Sequence, residues 1–266
     1  MKRTLRSMWS AIALALVIPG AALAPATAAP PAPVVYDALG DSYGSGYGVP
    51  PYLECGRSDA AYAVQIDGRM RIALDDFVAC SGATTTSLRA TQLDALDEDT
   101  DLVTVSIGGN DILWAYAVVS CVGTSDEQCA AGIAQTRHMI TDVLPGLLDD
   151  TYTEIRAAAP DAHVVVTGYP RLFSPEFGDY LHASPSEQQA MNDGADLLNA
   201  VIAEAAAAHG FQFVDVTKRF VGHGLNSDDP WILGVGDPGL FHPNAAGYEA
   251  YAAAVTAAIN PRDLRR

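Results

Sequence analysis

Val34-Val35-Tyr36-Asp37-Ala38-Leu39-Gly40-Asp41-Ser42-Tyr43-Gly44-Ser45-Gly46 is the stretch on which the reading of this chain turns. Its first half is apolar, as a buried strand is, and its second half is a turn punctuated by glycine. A strand-to-helix turn at this point lifts the Ser42 side chain above the carboxyl edge of a sheet. Glycines around it let backbone and substrate approach closely. On its own, a serine here is an ordinary turn former or helix cap. Two later segments change its weight: Ile107-Gly108-Gly109-Asn110-Asp111 and Phe241-His242-Pro243-Asn244. With Ser42 they supply a hydroxyl, an amide side chain and an imidazole, the groups that acyl transfer requires.

Further along, apolar β-rich runs alternate with amphipathic stretches. Strands are expected at Val34–Leu39, in a weak run ending Phe77-Val78-Ala79, and at Leu102–Ile107, His163–Thr167 and Phe211–Val216. Helices are expected over Ala61–Arg69, over Ala130–Ala158 with a kink at Pro145, and over Ser186–His209, which stops at Gly210. Asn244 or a neighbour caps a last helix running to about Ile259. Strand–helix alternation of this kind implies a largely parallel sheet covered on both faces, with ligands outside the carboxyl ends of the strands. Ser42, Gly82 and Asn110 follow expected strand ends, so one sheet edge should carry all three. Three long loops are expected there: Gly44–Ser58, Val119–Ala130 and Gly222–Leu240.

The amino terminus stands apart from this pattern. Lys2, Arg3 and Arg6 precede an apolar stretch from Met8 to Leu23, and a small-residue segment ends in Ala26-Thr27-Ala28-Ala29. This is the pattern of a secretory signal peptide over residues 1–28, cleaved after Ala28 or Ala29. Pro19-Gly20 interrupts the apolar stretch, which is shorter than the ~20 residues a membrane span needs. Residues 29–266 then form a single domain. The formal net charge is −17, and loss of the three leader cations takes it to −20. Such a chain repels phosphate backbones and anionic bilayers, which argues against nucleic acid as a partner and against tight binding to acidic lipid. Beyond the leader, the sequence offers no segment long and apolar enough for stable membrane insertion. Four cysteines in an exported chain suggest two disulfides. Of the three possible connectivities, Cys55–Cys80 and Cys121–Cys129 are favoured, because each closes a loop local to one excursion of the chain. A metal site has little support, with no Cys-x-x-Cys and no His-x-x-x-His.

The blocks Gly40-Asp41-Ser42, Gly82 within Cys80-Ser81-Gly82-Ala83, Gly108-Gly109-Asn110-Asp111 and His242-Pro243-Asn244 resemble, in order and in spacing, those of the SGNH hydrolases, also called GDSL esterases and lipases. The likeness spans nearly the whole chain after the leader and is greatest to secreted actinobacterial members. It implies a three-layer α/β/α sandwich around a mostly parallel five-stranded sheet of flavodoxin type. It also implies a serine esterase or lipase that uses no cofactor. Ser42 would be the nucleophile and His242 its general base. The Ser42 and Gly82 backbone N–H groups and the Asn110 side-chain amide would form the oxyanion hole.

The chain departs from the family at one point. Many members carry an aspartate three residues before the histidine, where this chain has Gly239. Either Asp237 orients His242 or a backbone carbonyl near Gly239 accepts its Nδ1–H. The carbonyl is favoured, since Asp237 would have to reach across the turn fixed by Pro238. Asp41 is expected to brace the turn. Tyr43, Tyr47 and Trp114 either line an acyl pocket or merely pack. The run Leu113, Trp114, Tyr116, Val118 and Val119 leans towards an acyl chain as substrate. A polysaccharide acetyl esterase, a phospholipase and a catalytically silent binding module are the alternatives. The expected partner is a small-molecule or lipid ester, and nothing in the sequence requires more than a monomer.

Overall fold

Apolar, β-branched segments form five strands in the computed structural model, which describes residues 31–264 other than Thr124. The leader expected over residues 1–28 lies outside the described residues. The strands are β1 (Val34–Gly40), β2 (Ile72–Phe77), β3 (Leu102–Ser106), β4 (His163–Thr167) and β5 (Gln212–Val214). They pair in parallel in the order β2-β1-β3-β4-β5. Every residue of β3 is buried, as expected for a central strand covered on both faces. β5 is shorter than the expected Phe211–Val216. β2 ends at Phe77, although the N–H groups of Val78 and Ala79 still reach the Ala38 carbonyl across a break in register.

The helices are α1 (Ser42–Ser45), α2 (Tyr62–Ile66), α3 (Thr85–Thr91), α4 (Trp114–Val122), α5 (Asp126–His138), α6 (Leu144–Ala158), α7 (Pro185–Ala208) and α8 (Ala245–Ala258). α2 packs on α8, and α3, α6 and α7 pack in succession, so the sheet lies between helical layers. Caps explain several boundaries. Ser184 and Glu187 close a reciprocal capping box at the start of α7, and the Asn244 carboxamide oxygen accepts the Gly247 N–H at the start of α8.

Two expectations need correction. The helix expected as one unit over Ala130–Ala158, with a kink at Pro145, is α5 and α6 joined by a wide π turn at Met139–Val143, which ends two residues before Pro145. Proline has no N–H to donate and its ring crowds the carbonyl four residues back, so the turn widens to absorb the fault. The loop expected over Val119–Ala130 is largely helical: α4 and α5 occupy it, and the Cys121–Cys129 disulfide joins them. The Cys55–Cys80 disulfide is also present.

The pairing of β1 with β3, which sets Gly40 opposite Ser106, fixes where the chain turns toward Ser42. Gly40 has φ +141°, and a Cβ there would lie 2.6 Å from the Ser106 carbonyl oxygen, so only glycine fits. The buried Gln92 side chain accepts the Gly40 N–H (2.8 Å) and donates to the Gly40 carbonyl (2.9 Å), pairing both backbone groups. Replacing Gln92 by Leu strands the buried Gly40 N–H, while the Gly40 carbonyl keeps the Cys80 N–H at 2.9 Å. It is expected to lower the unfolding free energy by about 1–3 kcal/mol, read from urea denaturation.

Candidate active site

Ser42 opens α1, and Asp41 caps it: an Asp41 carboxylate oxygen accepts the Tyr43 N–H at 2.9 Å. As the first helical residue, Ser42 has a backbone N–H with no intrahelical partner. The other Asp41 oxygen accepts the Tyr169 hydroxyl at 2.5 Å, and that hydroxyl in turn accepts the Gly109 N–H at 3.0 Å. Tyr169 therefore joins the Ser42 turn to the Gly108–Asp111 block through one oxygen. Burial pushes the Asp41 carboxyl up to about 7, against the pull of its hydrogen bonds from Tyr169 and from the Tyr43 and Gly44 N–H groups. Asp41 thus has the bracing contacts expected of it.

His242 arrives on the loop between β5 and α8. That loop is clamped to the 231–234 segment: the Leu233 N–H donates to the His242 carbonyl and the Phe241 N–H to the Leu233 carbonyl, each at 2.8 Å. Phe241 is held at φ 64°, a conformation unfavourable for a bulky side chain, and its carbonyl accepts the Tyr43 hydroxyl at 2.6 Å. This turn brings the Leu240 carbonyl to 2.9 Å from His242 Nδ1. A carbonyl oxygen only accepts, so Nδ1 carries the hydrogen and Nε2 is left as an acceptor. Nε2 stands 2.8 Å from Ser42 Oγ.

Of the two groups expected to orient His242, a backbone carbonyl is found on Nδ1, but not that of Gly239 and not the Asp237 carboxylate. The carbonyl on Nδ1 belongs to Leu240, while that of Gly239 accepts the His242 backbone N–H at 2.9 Å. The Asp237 carboxylate accepts the Gly234 N–H at 3.0 Å instead. Position 239 has no room for a carboxylate, because a Cβ there would run into the Gly48 Cα and the Leu233 side chain.

Tyr43, Tyr47 and Trp114 do pack, and what they pack against is the imidazole. Their rings lie 5.2, 5.0 and 6.0 Å from that of His242. His242 is 8% exposed, and burial lowers its pKa, with the Leu240 and Gly239 carbonyls pulling the other way.

The Asn110 amide donates one hydrogen to the Ala83 carbonyl at 2.8 Å, which fixes the side chain and leaves its second N–H available. Asp111 accepts both the N–H and the hydroxyl of Thr85, binding the same two blocks again. Asn110 opens a short 3-10 turn, Asn110–Ile112, and α4 begins at Trp114. Gly82 is exposed, and a Cβ there would meet no protein atom within 4 Å. Its φ of +84°, rather than crowding by the protein, is what selects glycine.

Beside Ser42 opens a cleft with a cavity volume of about 80 Å³, partly open to solvent. Tyr43, Gly109 and Tyr169 line it together with Ser42, as do Trp114, Val118 and Leu172. Of the apolar run after Asn110, Trp114 and Val118 face this cleft, whereas Leu113, Tyr116 and Val119 are exposed. Sequence reading missed Tyr169 and Leu240. Tyr169 was within reach, since it follows the carboxyl end of β4 as Ser42 follows β1 and Asn110 follows β3.

The model of the GDSL-like Lipase/Acylhydrolase family matches residues 38–250. Lipase 1 of Streptomyces coelicolor is 41% identical, over 89% of this chain and 90% of its own. Among solved structures, an extracellular lipase from Streptomyces rimosus superposes with a TM-score of 0.81 at 38% identity, covering 85% of this chain and all of its own. A phospholipase A1 from Streptomyces albidoflavus NA297 gives 0.80 at 37% identity, covering 86% of this chain and all of its own.

The buried imidazole has a measurable signature. In an NMR titration His242 is expected to protonate below the ordinary histidine value of about 6.5, and Tyr47→Ala, which exposes the ring to water, to move it upward.

Proposed function

The chain belongs to the GDSL-like lipase/acylhydrolase family and is a carboxylic ester hydrolase, and from that premise we propose that Ser42 and His242 are its catalytic pair. The observation that carries the reading is the 2.8 Å contact between Ser42 Oγ and an Nε2 left as acceptor by the Leu240 carbonyl.

In the proposed mechanism, Ser42 Oγ attacks the ester carbonyl as its proton passes to His242 Nε2. The negative charge on the former carbonyl oxygen is met by the Ser42 N–H, the Gly82 N–H and the free N–H of Asn110. Collapse of this intermediate breaks the bond to the alcohol, which leaves with the proton from Nε2. Water then enters by the same route, releasing the acid and restoring Ser42. The Leu240 carbonyl stabilises the transient imidazolium as a neutral dipole, less than a carboxylate would. No metal or cofactor is needed for these steps.

The substrates proposed are lipid or small-molecule acyl esters. The 37% identity to a phospholipase A1 makes phospholipids a second substrate class for the same machinery. The protein is proposed to act as a secreted monomer, in keeping with the leader pattern of residues 1–28 and with a relative described as extracellular. Among the described residues no helix is long and apolar enough to cross a membrane.

Hydrolysis of chromogenic acyl esters tests the reading. Ser42→Ala is expected to lower kcat at least about 1,000-fold, and Asn110→Ala about 100- to 1,000-fold, with both proteins folded. Asp237→Asn is expected to cost less than about tenfold; a loss as large as that of Ser42→Ala would restore the carboxylate as orienter. Since His242 must be neutral to accept the proton, kcat/KM is expected to fall on the acid side. The midpoint of that fall should lie below about 6.5, because burial disfavours the charged ring.

A further inference from the structure

Gly194 lies well inside α7, where glycine is a poorer helix former than alanine. The usual reason for such a glycine is close packing, as at Gly132 on α5, where a Cβ would sit 2.7 Å from the Ser120 Cβ. Gly194 lacks that reason. A Cβ there would meet nothing within 4 Å, and the residue lines the cleft that begins at Ser42. The residue therefore gives up helix stability with no packing contact in return, which points to a space kept for a ligand.

The cleft also has a direction. Asn199 of α7 accepts the Tyr169 N–H and donates to the Tyr169 carbonyl, each at 2.8 Å, which fixes this part of the helix beside the Ser42 turn. Leu198, Gly194 and Ala190 then line the cleft at successive turns, about 6 Å apart along the helix. The lining therefore runs two helical turns away from the reacting serine, between α7 on one side and α4 and α5 on the other.

Building on the ester-hydrolase reading, we propose that this cleft holds the acyl chain of the substrate and that Gly194 sets the chain length it accepts. The acyl carbonyl lies at Ser42 and the alkyl chain passes Leu198. The missing side chain at 194 leaves the path open towards Ala190. The substrates are thus esters of extended aliphatic acids rather than acetyl esters alone.

The test compares Gly194→Leu with Gly194→Ala and the unaltered protein, in kinetics and in binding. Across acetyl to hexadecanoyl chromogenic esters, Gly194→Leu is expected to lower the ratio of long-chain to acetyl kcat/KM at least tenfold, chiefly through KM. Gly194→Ala is expected to raise the melting temperature by about 2–4 °C, since helix propensity improves with no clash. In a Ser42→Ala background, a fluorescent long-chain fatty acid reports the cleft without turnover, and Gly194→Leu is expected to weaken it at least tenfold. Unchanged chain-length preference and unchanged fatty-acid binding in a folded Gly194→Leu protein would overturn the proposal. Absent ester turnover with fatty-acid binding intact and sensitive to position 194 would instead count against the hydrolase reading and uphold the cleft assignment.

Discussion

A carbonyl oxygen can only accept a hydrogen bond, so the 2.9 Å contact between Leu240 and His242 Nδ1 leaves the imidazole one useful tautomer. Everything proposed for Ser42 follows from that choice, because Nε2 must be free of hydrogen to take the serine proton. The contact exists because Phe241 is held at positive φ. That conformation is held by the backbone bonds of Phe241 and His242 to Leu233 and by the Tyr43 hydroxyl on the Phe241 carbonyl. Local strain is thereby over-determined by its surroundings.

The glycine at 239, where the family pattern leads one to expect an aspartate, is part of the same arrangement. Gly239 lies against Gly48, on the loop that follows the Ser42 turn, and the two backbones approach too closely for any side chain at 239. Close approach and a carboxylate at this position exclude one another. What remains is an imidazole oriented by a dipole, packed by three aromatic rings and biased by burial toward its neutral form. Burial favours the general-base form of the ring, while the absence of a facing carboxylate limits support for its charged form.

Tyr169 ties together two blocks that the sheet places on adjacent strands. Its hydroxyl donates to Asp41 and accepts from Gly109, so the nucleophile turn and the Asn110 block move as one unit. Asn110 is anchored in turn on Ala83, and Asp111 on Thr85. A preorganised donor set needs such support, because a displacement of about 1 Å in the reacting groups is costly. The cleft is built on the opposite principle. Around Gly194 the packing is left incomplete, and helix stability is given up for space.

Much of this was legible in the sequence because it depends on local chemistry. The alternation of apolar runs and amphipathic stretches determined a parallel sheet, and the strand ends placed Ser42, Gly82 and Asn110 on one edge. Cysteine spacing favoured the pairings that are present. Pro145 marked the fault between α5 and α6, though not the π turn that accommodates it. The carbonyl on Nδ1, the brace from Tyr169 and the open space at Gly194 were beyond local reading. Each depends on the distance between segments far apart in the chain, such as Asp41 with Tyr169 or Gly48 with Gly239. Sequence by itself determined which groups the site contains and on which edge of the sheet they lie. Only tertiary packing decided which carbonyl holds the histidine and where a ligand has room, because those answers are set by close contacts that no local pattern encodes.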